Sequence, residues 1–140
     1  MNPRRLLVAL VVTATLIAGC SGGSATASLP ATRDCTPEKY ADLKDCDFTG
    51  ADLTYVNLTY ANLINANLTN ADLSFAYLSS ANLKSANLTN ANLTNADLRS
   101  TDLTNANLTG ADLTNANLEL TNLEGTNLTG ATMPDGSIHP

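Results

Sequence analysis

The sequence is short of the side chains from which catalytic sites and aromatic cores are usually built. Its 140 residues include no Trp, two Phe, four Tyr and a single His, the penultimate residue His139. One His leaves little material for general acid–base catalysis, and no motif places a nucleophile beside a base. We therefore predict a non-enzymatic protein that needs no metal and no other cofactor.

Basic residues are also scarce. Seven Lys and Arg stand against thirteen Asp and Glu, which gives a formal net charge of -6. Proteins that bind nucleic acid cluster Lys and Arg against the phosphates, so this balance argues against a nucleic-acid partner.

The apolar run near the start, residues 6–18, is too short to span a bilayer, which needs about 20 residues. Arg4 and Arg5 precede the run and small residues follow it, a layout typical of a secretory signal. Its end, Leu-Ile-Ala-Gly-Cys at residues 16–20, resembles the lipobox of bacterial lipoproteins. The resemblance implies that residues 1–19 are removed and that Cys20 is lipidated. The alternative is a plain cleaved signal with an incidental Cys.

The lipobox resemblance has consequences for localisation. We expect an extracytoplasmic protein that is lipid-anchored to a bacterial membrane, with the choice between inner and outer membrane left open. Residues 20–34 are small, polar and aperiodic, so they are predicted to be the lipidated Cys and a flexible tether.

A period of five runs through the remainder of the chain. From residue 43 to residue 128 there are eighteen repeat centres, of which seventeen are Leu and one is Phe48. Thirteen of the eighteen residues two places earlier are Ala, and the residue between is Asp or Asn except at Tyr77. In an extended segment Ala and Leu face one way, and the Thr and Asn that follow suit a turn. A helix is excluded because a step of five would spread the Leu side chains around its surface.

This pattern resembles the pentapeptide-repeat family. The resemblance implies an all-β fold, a right-handed quadrilateral β-helix of about 4.5 coils with Leu and Ala inside. We expect an N-terminal cap at residues 35–40, the β-helix at residues 41–133 and a C-terminal tail at residues 134–140. The alternative is a disordered Asn-rich tract, which would not fix a Leu at every fifth place.

Both ends of such a coil need protection. Once Cys20 carries lipid, Cys35 and Cys46 remain, and we predict a disulfide between them that pins the cap. The alternative is a buried, free Cys46 with Cys35 loose. At the other end, Ile138 is expected to cover the outward Leu120 or the last coil. This cap looks thin, so an end-to-end homodimer is a further hypothesis.

Two outward surfaces are candidates for binding. One is an uncharged column of Thr flanked by Asn, although strand propensity, corner geometry and solubility are the favoured explanation, because a repeat sequence produces such columns automatically. The other is a set of outward aromatics that depart from the repeat, for which local stacking is the alternative. The Thr column is Thr49, Thr69, Thr89, Thr109 and Thr129, and the aromatic set is Tyr55, Tyr60, Phe75 and Tyr77.

The function that these observations favour is a membrane-anchored, non-enzymatic envelope scaffold or protein-binding module. Its partners would be the membrane, through the lipid, and an envelope protein or a glycan. A surface that binds carbohydrate or cell wall is the main alternative. Some relatives in the resembled family mimic DNA and bind topoisomerases; that role is less favoured because outward charge is sparse and the signal exports the chain.

Overall fold

In a computed structural model of the protein, residues 34–140 are described, and they form a solenoid of stacked coils. Facing residues of neighbouring coils are parallel and lie twenty positions apart, from Asp42 with Asn62 to Asp112 with Thr132. Each pairing is a single-residue bridge between two turns, and no helix occurs within this part of the chain. The fold is a right-handed four-sided β-helix, as predicted. The predicted signal peptide, Cys20 and the tether up to residue 33 lie outside the described residues.

Each coil has four faces, which we name A to D in chain order by the bridge residue at the middle of each. Face A is centred on Asp42, Asn62, Asn82, Asp102 and Asn122; face B on Asp47, Asn67, Asn87, Asn107 and Asn127; face C on Asp52, Asp72, Asn92, Asp112 and Thr132; face D on Asn57, Tyr77, Asp97 and Asn117. Faces B and D are therefore on opposite sides of the solenoid.

The core is a stack of leucines with small residues beside them. Leu63, Leu83 and most other repeat centres are fully buried, and Phe48 takes the same inward place in the second repeat. Thr101 stands where Ala is usual and is also fully buried, because its hydroxyl donates to the carbonyl of Leu78 at 2.8 Å. A Thr is tolerated inside only when its hydroxyl has such an acceptor.

The backbone explains the consensus Ala-(Asp/Asn)-Leu-Thr-Asn. In repeat 66–70 the Ala N–H closes the preceding turn, the Asn N–H donates to the previous coil, and the N–H groups of the third and fifth residues donate to the next coil. The fourth residue, Thr69, donates its N–H to the side-chain oxygen of Asn67 at 3.2 Å. All five donors are satisfied, and Asp or Asn is favoured as the second residue because its side chain is one of the acceptors.

The fifth residue of each repeat has a positive φ, 57° at Asn70 for example. This is the second central residue of a turn that needs the left-handed region, which Asn and Gly enter at the lowest cost. The preference for Asn, Ser and Gly at this place is thus a requirement of the corner.

The N-terminal end is closed covalently. Cys35 and Cys46 form a disulfide, as predicted, and Cys46 occupies the inward position of the second repeat with 2% of its surface exposed. The coil ladder begins beside it, where the N–H of Tyr40 donates to the carbonyl of Thr59 at 3.1 Å.

The C-terminal tail caps through its backbone. The N–H of Met133 donates to the carbonyl of Ser137, and the N–H of His139 donates to the carbonyl of Ala131, so the tail folds back as a short antiparallel hairpin. Of the two places expected for Ile138, the last coil is confirmed by its pairing with Thr132, and Leu120 is not, because Ile138 and Leu120 remain 63% and 81% exposed. Pairing of Ile138 with Thr132 places the tail against face C, away from the corner that carries Leu120.

Removing the disulfide should destabilise the protein measurably. The bridge closes a loop of eleven positions, so the double variant Cys35→Ala, Cys46→Ala should lose about 2–3 kcal/mol of free energy of unfolding through loop-closure entropy. Ala is the usual residue at the inward place of Cys46, so the loss does not come from packing. Urea denaturation followed by circular dichroism measures it, and equal midpoints for the variant and the parent would contradict the prediction.

Candidate binding surface

Face B is the regular side of the molecule. Thr49, Thr69, Thr89 and Thr109 stack along it, and each hydroxyl donates to the Asp or Asn two residues earlier. Some neighbours are also joined between coils, as where Asn67 Nδ2 donates to the hydroxyl of Thr49 at 2.8 Å. These hydroxyls already serve the fold, so a binding role for this column and for Thr129 at its end stays a prediction.

The opposite side, around face D, departs from the repeat. Five of the six aromatic side chains of the protein are exposed on this side, with between 43% and 66% of their surface accessible. Tyr77 lies on face D itself, and the others lie at the two corners that border it. We call this set the aromatic patch; it consists of Tyr40, Tyr55, Tyr60, Phe75 and Tyr77.

The corner aromatics form two stacks. Tyr55 and Phe75 stack at the corner between faces C and D, with ring centroids 4.9 Å apart and planes 10° apart. Tyr40 and Tyr60 stack at the corner between faces D and A at 5.2 Å and 4°. The stacking predicted as an alternative is therefore present, and the rings remain exposed as well. Sequence reasoning missed Tyr40, although its position twenty residues before Tyr60 was the available signal.

The corner aromatics occupy strained backbone. Tyr55, Tyr60 and Phe75 have φ values of 57°, 62° and 59°, in the region that bulky residues avoid. The left-handed conformation costs a residue of this kind roughly 1–2 kcal/mol, and one stacked pair returns roughly 0.5–1.5 kcal/mol. Asn would serve the corner better, so the fold does not require these aromatics.

Tyr77 breaks the other rule of the repeat. At the remaining seventeen repeats the Asp or Asn in this position accepts the backbone N–H two residues later. Tyr77 has no such acceptor, so it gives up one local hydrogen bond and presents a half-exposed ring. Residues that violate local preferences without a structural gain are characteristic of functional sites.

Toward the C-terminus, face D becomes charged. Asp97 lies one coil beyond Tyr77 and accepts two hydrogen bonds from the guanidinium of Arg99, at 2.8 and 2.7 Å, and one from the hydroxyl of Ser79 at 2.7 Å. The hydrogen bonds from Arg99, and then that from Ser79, lower the pKa of Asp97 to about 2. Arg99 is therefore held in place beside the aromatic patch.

Asp97 should make stability depend on acidity. Its pKa is about 2 in the folded protein, against about 3.9 in an unfolded chain, so its stabilising effect is complete above roughly pH 4 and is lost as the pH falls toward 2. The variant Asp97→Asn should be less stable than the parent at pH 7, and the difference should shrink between pH 4 and pH 2. Thermal unfolding across this range measures it, and a difference that is constant with pH would contradict the assignment.

Within residues 34–140, no group of three or more His, Cys, Asp or Glu side chains is arranged to hold a metal ion. In the same residues no helix has the length and apolar character needed to cross a bilayer.

Comparison with known proteins shows which family has this architecture. The sequence model of pentapeptide repeats matches the chain in eight copies, over residues 39–70, 66–105 and 106–135. The chain belongs to the pentapeptide-repeat family. Proteins of this family are in general non-enzymatic structural or binding proteins.

Two solved pentapeptide-repeat structures are similar to this chain. One is from the thylakoid lumen of Arabidopsis thaliana, with 33% identity, a TM-score of 0.67, and 72% of this chain and 70% of that one covered. The other is from Nostoc, with 46% identity, a TM-score of 0.57, and 57% and 66% covered. The comparison with curated proteins finds no match.

Proposed function

We propose that this pentapeptide-repeat protein is a scaffold of the bacterial cell envelope that is anchored by lipid on Cys20 and holds a protein partner on the aromatic patch. The observation that carries the proposal is the gathering of five exposed aromatics on one side of an otherwise polar solenoid. Exposed Tyr and Phe clusters are enriched in protein interfaces and supply much of their binding energy.

The stacking favours a protein over a glycan. Sugars bind aromatic rings through open ring faces, whereas in each stack the two rings cover one face of each other. The outer face of Tyr40 also lies near a cation, with Lys39 Nζ 4.8 Å from the ring centroid. The phenol hydroxyls of the Tyr residues add polar groups to the apolar rings, which suits the mixed apolar and polar surface of a protein partner.

The anchor completes the proposal. The lipobox resemblance at residues 16–20 and the polar segment up to residue 34 would tether the solenoid near a membrane surface. A single acyl chain binds a membrane weakly, and the two or more chains implied by the lipoprotein resemblance would hold it stably. A membrane-tethered solenoid whose aromatic patch is exposed would provide a binding site for another envelope protein.

Crosslinking in intact cells tests the proposal. The parent and the double variant Tyr55→Asn, Phe75→Asn are expressed, crosslinked and analysed by mass spectrometry. Asn is the usual residue at these corners, so the variant should fold while losing at least tenfold of its principal crosslinked protein. The matched control is Asn70→Ser, Asn90→Ser at the corner between faces B and C, which should keep that crosslink.

Two results would contradict the proposal. One is an unchanged set of crosslinked proteins in the aromatic variant, because the patch would then have no partner. The other is recovery of the purified domain on isolated peptidoglycan with loss of that binding in the same variant, because the patch would then be a cell-wall surface.

A further inference from the structure

The corner between faces D and A contains a depression. Its outward column reads Tyr40, Tyr60, Ser80, Ser100 and Leu120, so two small side chains lie between large apolar ones. The depression beside the serines has a volume of about 300 Å³. It is lined by Ser79, Ser80, Arg99, Ser100, Glu119 and Leu120. That volume is at the lower limit for small-molecule sites, about 300–1,000 Å³, and it suits a single side chain of a partner.

Leu120 forms the apolar wall at the C-terminal side of this depression. Its side chain is 81% exposed, and its φ of 58° is one that Leu avoids. The C-terminal tail does not cover it, since that tail pairs against face C. A strained and exposed Leu contributes nothing to the fold, which matches the behaviour of the aromatic patch along the same corner.

The rim of the depression carries more negative than positive charge. The guanidinium of Arg99 is engaged by both carboxylate oxygens of Asp97, and the charge of Glu119, one coil further along the same column, also acts on it, so two carboxylates face one cation at this rim. Residues 34–140 as a whole contain thirteen acidic and four basic side chains. A basic residue of a partner would therefore be attracted to this corner and would pair with Glu119.

The spacing along the corner matches an extended chain. Tyr60 and Leu120 are separated by three coils, or about 14 Å at the usual spacing of about 4.8 Å between strands. An extended peptide rises about 3.4 Å per residue, so side chains four residues apart cover the same distance and point the same way.

From these observations we propose that an extended segment of the partner protein lies along this corner, with an apolar side chain at Tyr60, another at Leu120 four residues away, and a basic residue beside Glu119. The proposal rests on the proposed function and names the chemistry of its partner. Ser80 and Ser100 form the floor because larger side chains there would block the segment.

A displayed library of random seven-residue peptides is the probe. After selection on the purified domain, enriched peptides should carry two apolar residues four places apart and a Lys or Arg. Fluorescence polarisation should then show at least tenfold weaker binding to Ser100→Asn, which fills the depression with the residue that most corners already have. Leu120→Asn should weaken binding similarly, and Glu119→Gln several-fold with a smaller dependence on salt. Asn90→Ser, at another corner, should bind as the parent does.

Other outcomes would overturn the inference. No enrichment, or enriched peptides that bind Ser100→Asn and Leu120→Asn as well as the parent, would show that no peptide lies in this depression. If the cell crosslinks still depend on Tyr55 and Phe75 in that case, the proposed function stands and only the peptide site fails. If the crosslinks in cells persist when Tyr55 and Phe75 are replaced, the proposed function itself is contradicted.

Discussion

Leucine-to-asparagine substitution should have opposite effects at two places in this protein. Leu83 is fully buried in the stack of repeat centres. Asn there would leave a cavity and bury an amide without partners, so we expect a loss of about 4 kcal/mol or more in the free energy of unfolding. That is a large part of the roughly 5–15 kcal/mol available to a domain, and the variant should be largely unfolded at moderate urea.

Leu120 is the matched control, since the chemical change is the same. Its side chain is exposed and its backbone has a positive φ, so Asn should relieve strain and raise the free energy of unfolding by about 1 kcal/mol. Urea denaturation followed by circular dichroism measures both variants. Losses of similar size at the two positions would show that Leu120 is packed, contrary to the structure.

Replacing Cys20 should abolish lipidation of the protein completely. The lipobox resemblance implies that Cys20 carries the lipid, so Cys20→Ala should abolish incorporation of a palmitate analogue in cells. The variant should also migrate at the size of the precursor that accumulates when parent cells are treated with globomycin, because the lipobox is then not processed.

The other two cysteines provide the control for this experiment. The double variant Cys35→Ala, Cys46→Ala lacks the disulfide and keeps Cys20, so it should incorporate the lipid label as the parent does. Label in the Cys20→Ala protein, or a parent band that globomycin leaves unchanged, would refute the anchor. The solenoid and its aromatic patch would then need another route to a membrane.

The fold was predictable because one requirement repeats eighteen times. A small residue and a Leu two places apart must face inward in every repeat, and only a closed coil of short strands and turns meets that demand for so many repeats. The disulfide was predicted from the lipoprotein resemblance, which implies that Cys20 carries lipid and leaves Cys35 and Cys46 as a pair; a free Cys46 was the alternative, and the structure shows the bond. The end of the chain was less determined: the sequence left Leu120 and the last coil as alternatives for Ile138, and backbone pairing with Thr132 places it at the last coil.

The candidate surface was only partly predictable. A column of Tyr55 and Phe75 follows from their separation of twenty residues, whereas their strain follows from a corner whose φ the sequence does not state. The function of the Asp or Asn in each repeat as an acceptor for the backbone N–H two residues later became clear only from the hydrogen bonds.

The sequence by itself determined a closed coil with inward leucines, because this depends on periodicity, whereas the four-sided cross-section was implied by the family resemblance. Tertiary structure alone decided how outward side chains are arranged: that Ser80 and Ser100 leave a depression before Leu120, and that Arg99 is held by Asp97. Outward contacts depend on the shape of corners and on side-chain lengths, and neither is contained in a five-residue pattern.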